Sequence, residues 1–175
     1  MEEQRFGHLL IRQEWAGDVG AIWEVQREAF GRPEEAGLVD QLRQQQSLAL
    51  SLVAVWPGQL VGHLAFSPVL LEPPAGPISV LGLGPLAVLP NYQRQGVGAQ
   101  LVWVGLAHCR QQGHQAMVVL GSPSYYGRFG FVPAGNFGLR STFDVPAELF
   151  MAQELQPGSL AGHQATIHYH PAFSD

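Results

Sequence analysis

An unbroken apolar run, a glycine-containing turn and a helical pattern follow one another in the middle of the chain, and this order limits the folds open to it. The run at 78–89 is apolar throughout instead of alternating, which is typical of a central strand covered on both faces. From 97 to 111, apolar residues recur at helical spacing, and Gly113 is expected to end that helix. The sequence therefore predicts a strand–turn–helix unit of a layered α/β fold.

The segments on either side of this unit supply further elements. Helices are predicted at 18–30 and from Pro33 or Glu34 to 46, an antiparallel hairpin at 48–56 and 59–71, and later strands at 116–120, 149–155 and 165–169. No repeat and no long linker divides the chain. We therefore expect a single domain over residues 1–175, of mixed α/β class, with a central, partly parallel sheet and helices on both faces.

Composition excludes several other classes of protein. With 46% hydrophobic and only 13% charged residues, the chain is not of the disordered class. A net charge of −5 argues against a surface that binds nucleic acid through its phosphates. Cys109 is the only cysteine, and neither a signal peptide nor an apolar run of about 18 residues is present. We therefore expect a cytoplasmic protein without a nucleic-acid or membrane partner.

The turn between the central strand and the helix contains Gly96 and Gly98 beside the cation Arg94. The first amides of a helix lack intrahelical acceptors and carry a partial positive charge, so the backbone itself binds an anion placed there. The amides of residues 94–99 are thus predicted to surround a diphosphate; the alternative is a tight turn that binds nothing. A P-loop would need a lysine, which the chain lacks, and Leu101 stands where a Rossmann fingerprint has its third glycine.

Two segments of the chain resemble a known superfamily. Residues 86–101, which read Leu-Ala-Val-Leu-Pro-Asn-Tyr-Gln-Arg-Gln-Gly-Val-Gly-Ala-Gln-Leu, resemble the acetyl-CoA signature of the GNAT superfamily. Residues 120–131 resemble the GNAT segment in which a tyrosine, here Tyr126, precedes a Gly-Phe pair by four residues. These segments, together with the closing Tyr-His-Pro-Ala-Phe, are similar to predicted N-acetyltransferases of the YhbS-like group. The resemblance covers about residues 10–173.

The resemblance implies a fold, a co-substrate and a set of contacts. It implies a GNAT-like sheet with a splayed central strand pair, and acetyl-CoA as co-substrate without a metal. Its pantetheine arm would lie along Leu86, Ala87 and Val88, and its diphosphate at Gln93, Arg94, Gln95, Gly96, Val97, Gly98 and Ala99. Ser122, Tyr126 and Arg128 would also contact the cofactor, although Ser122 alternatively caps the helix turn after it. Pro85 either interrupts the sheet ladder and opens a slot or marks an ordinary bulge.

Acetyl transfer needs an acid for the departing thiolate and a way to deprotonate the amine. Tyr126 is the candidate acid, because its place in the motif fits and a phenol is protonated at neutral pH. Many GNAT enzymes carry a glutamate on the central strand, whereas residues 80–88 contain no ionisable side chain. Glu28 and His63 are the remaining candidate bases. His168 and His170 share a strand face, but no other residue at ligand spacing supports a metal site.

The sequence thus predicts an N-acetyltransferase that transfers the acetyl group of acetyl-CoA to a primary amine of an unidentified small molecule or protein. Because the central strand lacks a carboxylate, an acyl-CoA-binding regulatory or interaction module with little turnover is the alternative. A purely structural α/β domain is a third reading. The sequence does not decide whether the protein forms a homodimer.

Overall fold

The computed structural model describes residues 1–73, 76 and 78–174. They divide into two compact units, which are described separately below. The first unit consists of Met1–Phe66 and Gly84–His108, and the second of Ser67–Leu83 and Cys109–Asp175. The single domain over residues 1–175, expected because no repeat or long linker divides the sequence, stays a prediction.

The first unit combines an antiparallel sheet with helices. Its elements are β1 (Gln4–Phe6), β2 (Leu9–Gln13), α1 (Val19–Phe30), α2 (Glu34–Gln44), β3 (Leu50–Trp56), most of β4 (Gln59–Pro68), the second half of β6 (Val80–Val88) and most of α3 (Val97–Gln111). The strands neighbour one another in the order β1-β2-β3-β4-β6, and β1 to β4 are antiparallel. Residues from α1, α2, β3 and β4 form a shared apolar cluster, Ile22, Val39, Val53 and Ala65.

Close packing between α3 and β4 fixes the start of α3. A Cβ atom built on Gly62 of β4 would lie 3.1 Å from side-chain atoms of both Val97 and Leu101 of α3. Further along the helix, Gly105 lies against the ring of Phe66 and leaves no room for a side chain. These glycines let the helix backbone approach the sheet closely. The turn before α3 is therefore held by packing on β4 as well as by its connection to β6.

The second unit carries two groups of strands. Its elements are β5 (Leu70–Glu72), the first half of β6, β7 (Ala116–Leu120), α4 (Pro123–Tyr126), β8 (Val132–Pro133), β9 (Leu139–Ser141), β10 (Phe150–Glu154) and β11 (Ala165–His168). One group has the order β6-β7-β10-β8 and the other β5-β11-β9. Parallel pairing joins β6 to β7 and β9 to β11, and the other pairs are antiparallel.

Pairing between β6 and β7 covers three registered residue pairs and ends at Gly82 and Val118. It therefore stops three residues before Pro85, where the sequence left open either an interruption of the ladder or an ordinary bulge. Proline lacks the amide hydrogen that a ladder needs, which is the physical reason for considering an interruption at that residue.

The mixed α/β class and the elements predicted around the turn are confirmed. The helix at 97–111 and the strand at 116–120 have their predicted bounds. The second strand of the hairpin, predicted over 59–71, is wrong beyond Pro68, where a new strand starts at Leu70 and pairs with β11. Within the described part of the chain, no helix combines the length and apolar character needed to cross a membrane.

Candidate active site

The turn before α3 presents backbone amides at the start of a helix of 15 residues. Gly96 adopts a φ of 86°, and Arg94, although not a glycine, adopts a φ of 59°. The amide of Gln100 donates to the carbonyl of Gly96 at 3.0 Å, which is the first bond of the helix ladder. The amides of Val97, Gly98 and Ala99 precede that bond, and helix geometry leaves them without an intrahelical acceptor. They form a site suited to a phosphate group.

Two glutamine side chains of the motif stabilise the turn from within. The Nε2 atom of Gln93 donates to the carbonyl of Val88 at 2.9 Å, and the Nε2 atom of Gln95 donates to the carbonyl of Asn91 at 2.9 Å. Each bond ties the turn back to residues that precede it. The side-chain amides of both glutamines thus hold the turn, and a contact of these residues with the cofactor stays a prediction. Arg94, which is exposed, is the cationic side chain of this turn.

Glu28 lies at the surface of the same unit, close to the segment that leads into the turn. It lines a groove of about 470 Å³ together with Gln59, Leu89, Pro90, Asn91 and Tyr92. Its carboxylate is half exposed and lies 3.8 Å from the guanidinium of Arg27. Glu28 is thus accessible to a solute.

His63, the other candidate base, is completely buried in β4. Its Nδ1 atom lies 2.8 Å from Nε2 of Gln26, and its Nε2 atom lies 2.8 Å from Oγ of Ser51. The same Gln26 nitrogen lies 3.5 Å from the carbonyl of Pro85, which fits its role as a donor. Nδ1 of His63 therefore accepts, and its Nε2 carries the proton and donates to Ser51. Both ring nitrogens are thus engaged inside the protein.

This buried network continues to an ion pair. The hydroxyl of Ser51 donates to Glu14, whose two carboxylate oxygens accept from Arg43 at 2.9 and 3.0 Å. Burial acts to raise the pKa of Glu14, but the hydrogen bonds from Arg43 and Ser51 outweigh it, and the pKa is lowered. Burial lowers the pKa of His63 to about 3, against the opposing effect of the Glu14 carboxylate. His63 is therefore neutral at physiological pH, and its contacts favour a role in positioning Gln26.

The second unit contains the tyrosine segment. Tyr126 ends α4, and its ring packs on the backbone of Gly121 so closely that no side chain could stand there. Its ring also meets Phe131 edge-on, with centroids 5.8 Å apart. Burial, with a smaller contribution from Tyr125, raises the pKa of Tyr126. The phenol therefore stays protonated at neutral pH and can donate a hydrogen bond.

Ser122 and Arg128 flank this tyrosine. The Oγ atom of Ser122 lies 2.7 Å from Oγ of Ser124 and makes no cap bond, so the alternative of a side-chain cap is wrong. Arg128 donates from Nε to the carbonyl of Tyr125 at 3.1 Å, and its guanidinium lies 4.3 Å from the centre of the Tyr125 ring. Both residues are exposed next to Tyr126.

Sequence reasoning missed the residues that surround His63 and one further tyrosine. Gln26 lies within the helix predicted at 18–30 and Ser51 within the hairpin strand predicted at 48–56, but neither of them nor Glu14 carries a sequence signal of its own. Tyr169 had been quoted only as part of the closing motif. No periodicity or spacing marks these residues, because their partners are distant in sequence. Among the described residues, no group of three or more histidine, cysteine, aspartate or glutamate side chains is arranged to hold a metal ion.

Comparison with known proteins extends these observations. The sequence model of the acetyltransferase (GNAT) domain matches residues 11–134. The chain is 40% identical over 154 residues to the uncharacterised N-acetyltransferase YjhQ of Escherichia coli K12, covering 83% of this chain and 85% of that protein. It is 36% identical over 167 residues to the uncharacterised N-acetyltransferase YhbS of the same strain, covering 95% of this chain and 99% of that protein.

Solved structures agree with the sequence relatives. The crystal structure of E. coli YhbS in complex with CoA matches with a TM-score of 0.91 and 35% identity, over 100% of this chain and 97% of that chain. A GNAT acetyltransferase from Brucella melitensis in complex with acetyl-CoA matches with a TM-score of 0.79 and 36% identity, over 96% of this chain and 99% of that chain. Since the domain model spans most of the chain and relatives this similar span nearly all of it, the protein belongs to the GNAT acetyltransferase family.

Proposed function

We propose that the protein transfers the acetyl group of acetyl-CoA to a primary amine of a small molecule or protein. The observation that carries this proposal is the turn before α3, where a left-handed Gly96 leads directly into the free amides of a long helix. That two similar GNAT structures contain CoA or acetyl-CoA supports the same co-substrate here.

The reaction joins the amine nitrogen to the thioester carbon. As the C–N bond forms, the electron pair of the C=O bond moves to oxygen; when it returns, the C–S bond breaks and the thiolate leaves. The thiolate gains one proton and the amine nitrogen loses one, so the products are an amide and free CoA. Holding both substrates in line supplies several kcal/mol of the barrier, about 7 or more in favourable cases.

Tyr126 is proposed to donate to the leaving sulfur. Because burial raises the pKa of its phenol, the hydroxyl stays protonated and available as a donor. The same shift makes complete proton transfer to a thiolate unfavourable, since an ordinary thiol has a pKa of about 8.5. The role that fits is therefore a hydrogen bond that stabilises the developing thiolate, with the final proton supplied by solvent.

We propose that no side chain of the central strand removes the amine proton, because β6 carries no ionisable residue. His63 is buried with both ring nitrogens engaged, so it cannot take up a proton without breaking the network. Glu28 is accessible, and a positioning or water-mediated role remains open to it. Deprotonation by solvent before attack is the simplest route.

The absence of an ionisable side chain on β6 also favours a second candidate function, an acyl-CoA-binding module with little turnover. Two measurements separate the candidates. The first is the melting temperature with acetyl-CoA, which rises if the turn binds the cofactor. The second is the release of free thiol from acetyl-CoA with a panel of amines, including polyamines, aminoglycosides and peptides with free N-termini. Binding with amine-dependent release supports the enzyme; binding without release for any amine supports the module; and no binding contradicts both.

A further inference from the structure

The groove that Glu28 lines belongs to the first unit alone and combines hydrogen-bond acceptors with one negative charge. Its volume of about 470 Å³ is large enough for a small organic molecule. The carboxylate of Glu28 and the side-chain amide oxygens of Gln59 and Asn91 accept hydrogen bonds. Among the described lining residues, Glu28 alone carries a charge. The groove is therefore unsuited to an anion, such as a phosphate of CoA, and suited to a cation.

The carboxylate of Glu28 is available to a ligand. Its side chain is 48% exposed, and it makes no hydrogen bond within the described part of the chain. The guanidinium of Arg27 lies 3.8 Å from it, but the Nε and Nη2 atoms of Arg27 both donate to Glu24, at 3.0 and 2.6 Å. Because Arg27 is engaged by Glu24, the carboxylate of Glu28 keeps its capacity to accept hydrogen bonds.

The rest of the groove is held in place by contacts within the first unit. The hydroxyl of Tyr92 donates to Oε1 of Gln59 at 3.2 Å, and the Tyr92 ring lies 5.9 Å from that of Trp56, measured between centroids. The carbonyl of Asn91 accepts from Gln95, a residue of the turn before α3. The groove is thus preformed, which lowers the entropic cost of binding a ligand.

An amine bound in this groove is kept in its charged form. A negative charge within about 4–6 Å favours the protonated form of an amine and raises its pKa. The amine that attacks the thioester must instead lose its proton, because its nitrogen needs a free electron pair. The groove is therefore suited to an ammonium group other than the one that reacts.

The groove also lies close to the strand proposed to hold the pantetheine arm. Leu89 directly follows β6 and stands three positions after Leu86. Since each residue of a strand adds about 3.3 Å, these two residues lie about 10 Å apart. An acceptor with two amino groups at the ends of a chain of similar length could place one at the thioester and the other in the groove.

We propose that the groove binds a second, protonated amino group of the acceptor through Glu28, so that the acceptor is a diamine or polyamine. This inference rests on the proposed acetyltransferase function. The amine at the thioester becomes the amide and loses one proton, as described above, while the ammonium in the groove keeps all of its protons.

The test compares two acceptors of equal length. Octamethylenediamine carries an amino group at each end, and aminooctanol has a hydroxyl in place of one of them. The preference for the diamine is the ratio of the two kcat/KM values, and we expect the native protein to favour the diamine. Glu28→Gln is expected to lower this preference by about 2- to 5-fold, the effect of one solvent-accessible ion pair. Glu28→Lys should lower it by about 4- to 25-fold, because charge reversal doubles the change in interaction free energy.

Glu34→Lys is the matched control. It makes the same change of charge in the exposed first turn of α2, in the same unit but outside the groove, and it is expected to keep the native preference. The inference is overturned if the native protein does not prefer the diamine, or if Glu28→Lys keeps the preference within about twofold of the native value. It is equally overturned if Glu34→Lys lowers the preference as much as Glu28→Lys, because net charge would then explain the effect.

The native protein separates this inference from the proposed function. If it binds acetyl-CoA and releases thiol with an amine, the proposed function stands, and the preference ratios of the Glu28 variants decide the inference alone. If the native protein neither binds acetyl-CoA nor releases thiol, the proposed function fails and the inference falls with it.

Discussion

The turn before α3 in the first unit and Tyr126 in the second differ in the groups that they offer to a ligand. The turn offers backbone amides, which every residue but proline carries, and a substitution can block them but cannot remove them. Tyr126 offers a single hydroxyl on a ring packed against Tyr125 and Phe131, and one substitution removes that hydroxyl while the ring remains. Binding and chemistry are therefore expected to respond to different mutations, binding to added bulk and turnover to a lost oxygen atom.

A second contrast concerns the buried polar groups of the two units. His63 is completely buried with a hydrogen bond at each ring nitrogen, whereas Tyr169 is partly buried and its inaccessible hydroxyl has no hydrogen bond among the described residues. A buried polar group with all its bonds made stabilises the fold, while one without a partner is unfavourable until a ligand or water supplies it. A buried polar atom thus has its hydrogen bonds made within the fold at His63 and is left unpaired among the described residues at Tyr169.

The largest effect is expected from Tyr126→Phe, because the donor to the leaving sulfur is lost and the packing on Gly121 is kept. We expect kcat to fall by about 10²- to 10³-fold, the effect of losing one hydrogen-bond donor to developing charge, with the affinity for acetyl-CoA nearly intact. Steady-state kinetics and calorimetry measure the two quantities. Tyr125→Phe in the same segment is expected to lower kcat less. If turnover is unchanged in Tyr126→Phe, Tyr126 is a packing residue, and the contrast between binding at the turn and chemistry at Tyr126 does not hold.

Gly98→Val tests whether the turn before α3 binds the diphosphate of acetyl-CoA. The added side chain stands in the first turn of α3, in the space that we assign to the diphosphate, so binding of acetyl-CoA should weaken by about tenfold or more, or roughly 1.4 kcal/mol. Gly20→Val is the matched control, since it makes the same change in the exposed first turn of α1, where a Cβ atom meets nothing within 4 Å. Unchanged affinity in a folded Gly98→Val variant would contradict the assigned phosphate site.

Acid stability tests the structural role of His63. The unfolded chain binds a proton there below a pH of about 6.5, whereas the folded protein does so only near 3, so stability falls as the pH falls between these values. Between these two pKa values, one such group changes the free energy of unfolding by about 1.4 kcal/mol per pH unit. Urea unfolding from pH 6.5 to 4.5 should show a shallower pH dependence for His63→Gln than for the native protein. The exposed His8→Gln variant should match the native slope; equal slopes for all three would refute the burial argument.

The smallest effect is expected from Glu28→Gln. Without a dedicated base, kcat/KM should rise with pH along the titration of the amine itself, and the variant should lose about tenfold or less through positioning. The measurement is the pH profile of kcat/KM for both proteins with two amines of different pKa. An inflection that stays fixed when the amine changes and vanishes in Glu28→Gln would identify Glu28 as the base.

The strand–turn–helix unit could be predicted from the sequence because its signals are local. Helical spacing over 97–111, the run at 116–120 and the glycine turn each depend on neighbouring residues, and the structure reproduces both elements with their bounds. The hairpin strand was predicted too long because β5 continues the apolar run after Pro68 but pairs with β11, nearly a hundred residues later. A run of apolar residues does not indicate which strand will be its partner.

The sequence by itself thus determined the fold class, the family resemblance and the position of the glycine turn before α3, since these depend on local pattern and backbone geometry; phosphate binding by that turn stays a prediction. Only the tertiary structure decided that His63 is enclosed by Gln26 and Ser51, and that Tyr169 rests on Gly82 with its hydroxyl unpaired. These contacts join residues 12 to 87 positions apart, so no local spacing encodes them. The burial and the hydrogen-bond partners of a polar side chain arise only when distant segments pack together, so only the folded protein decides them.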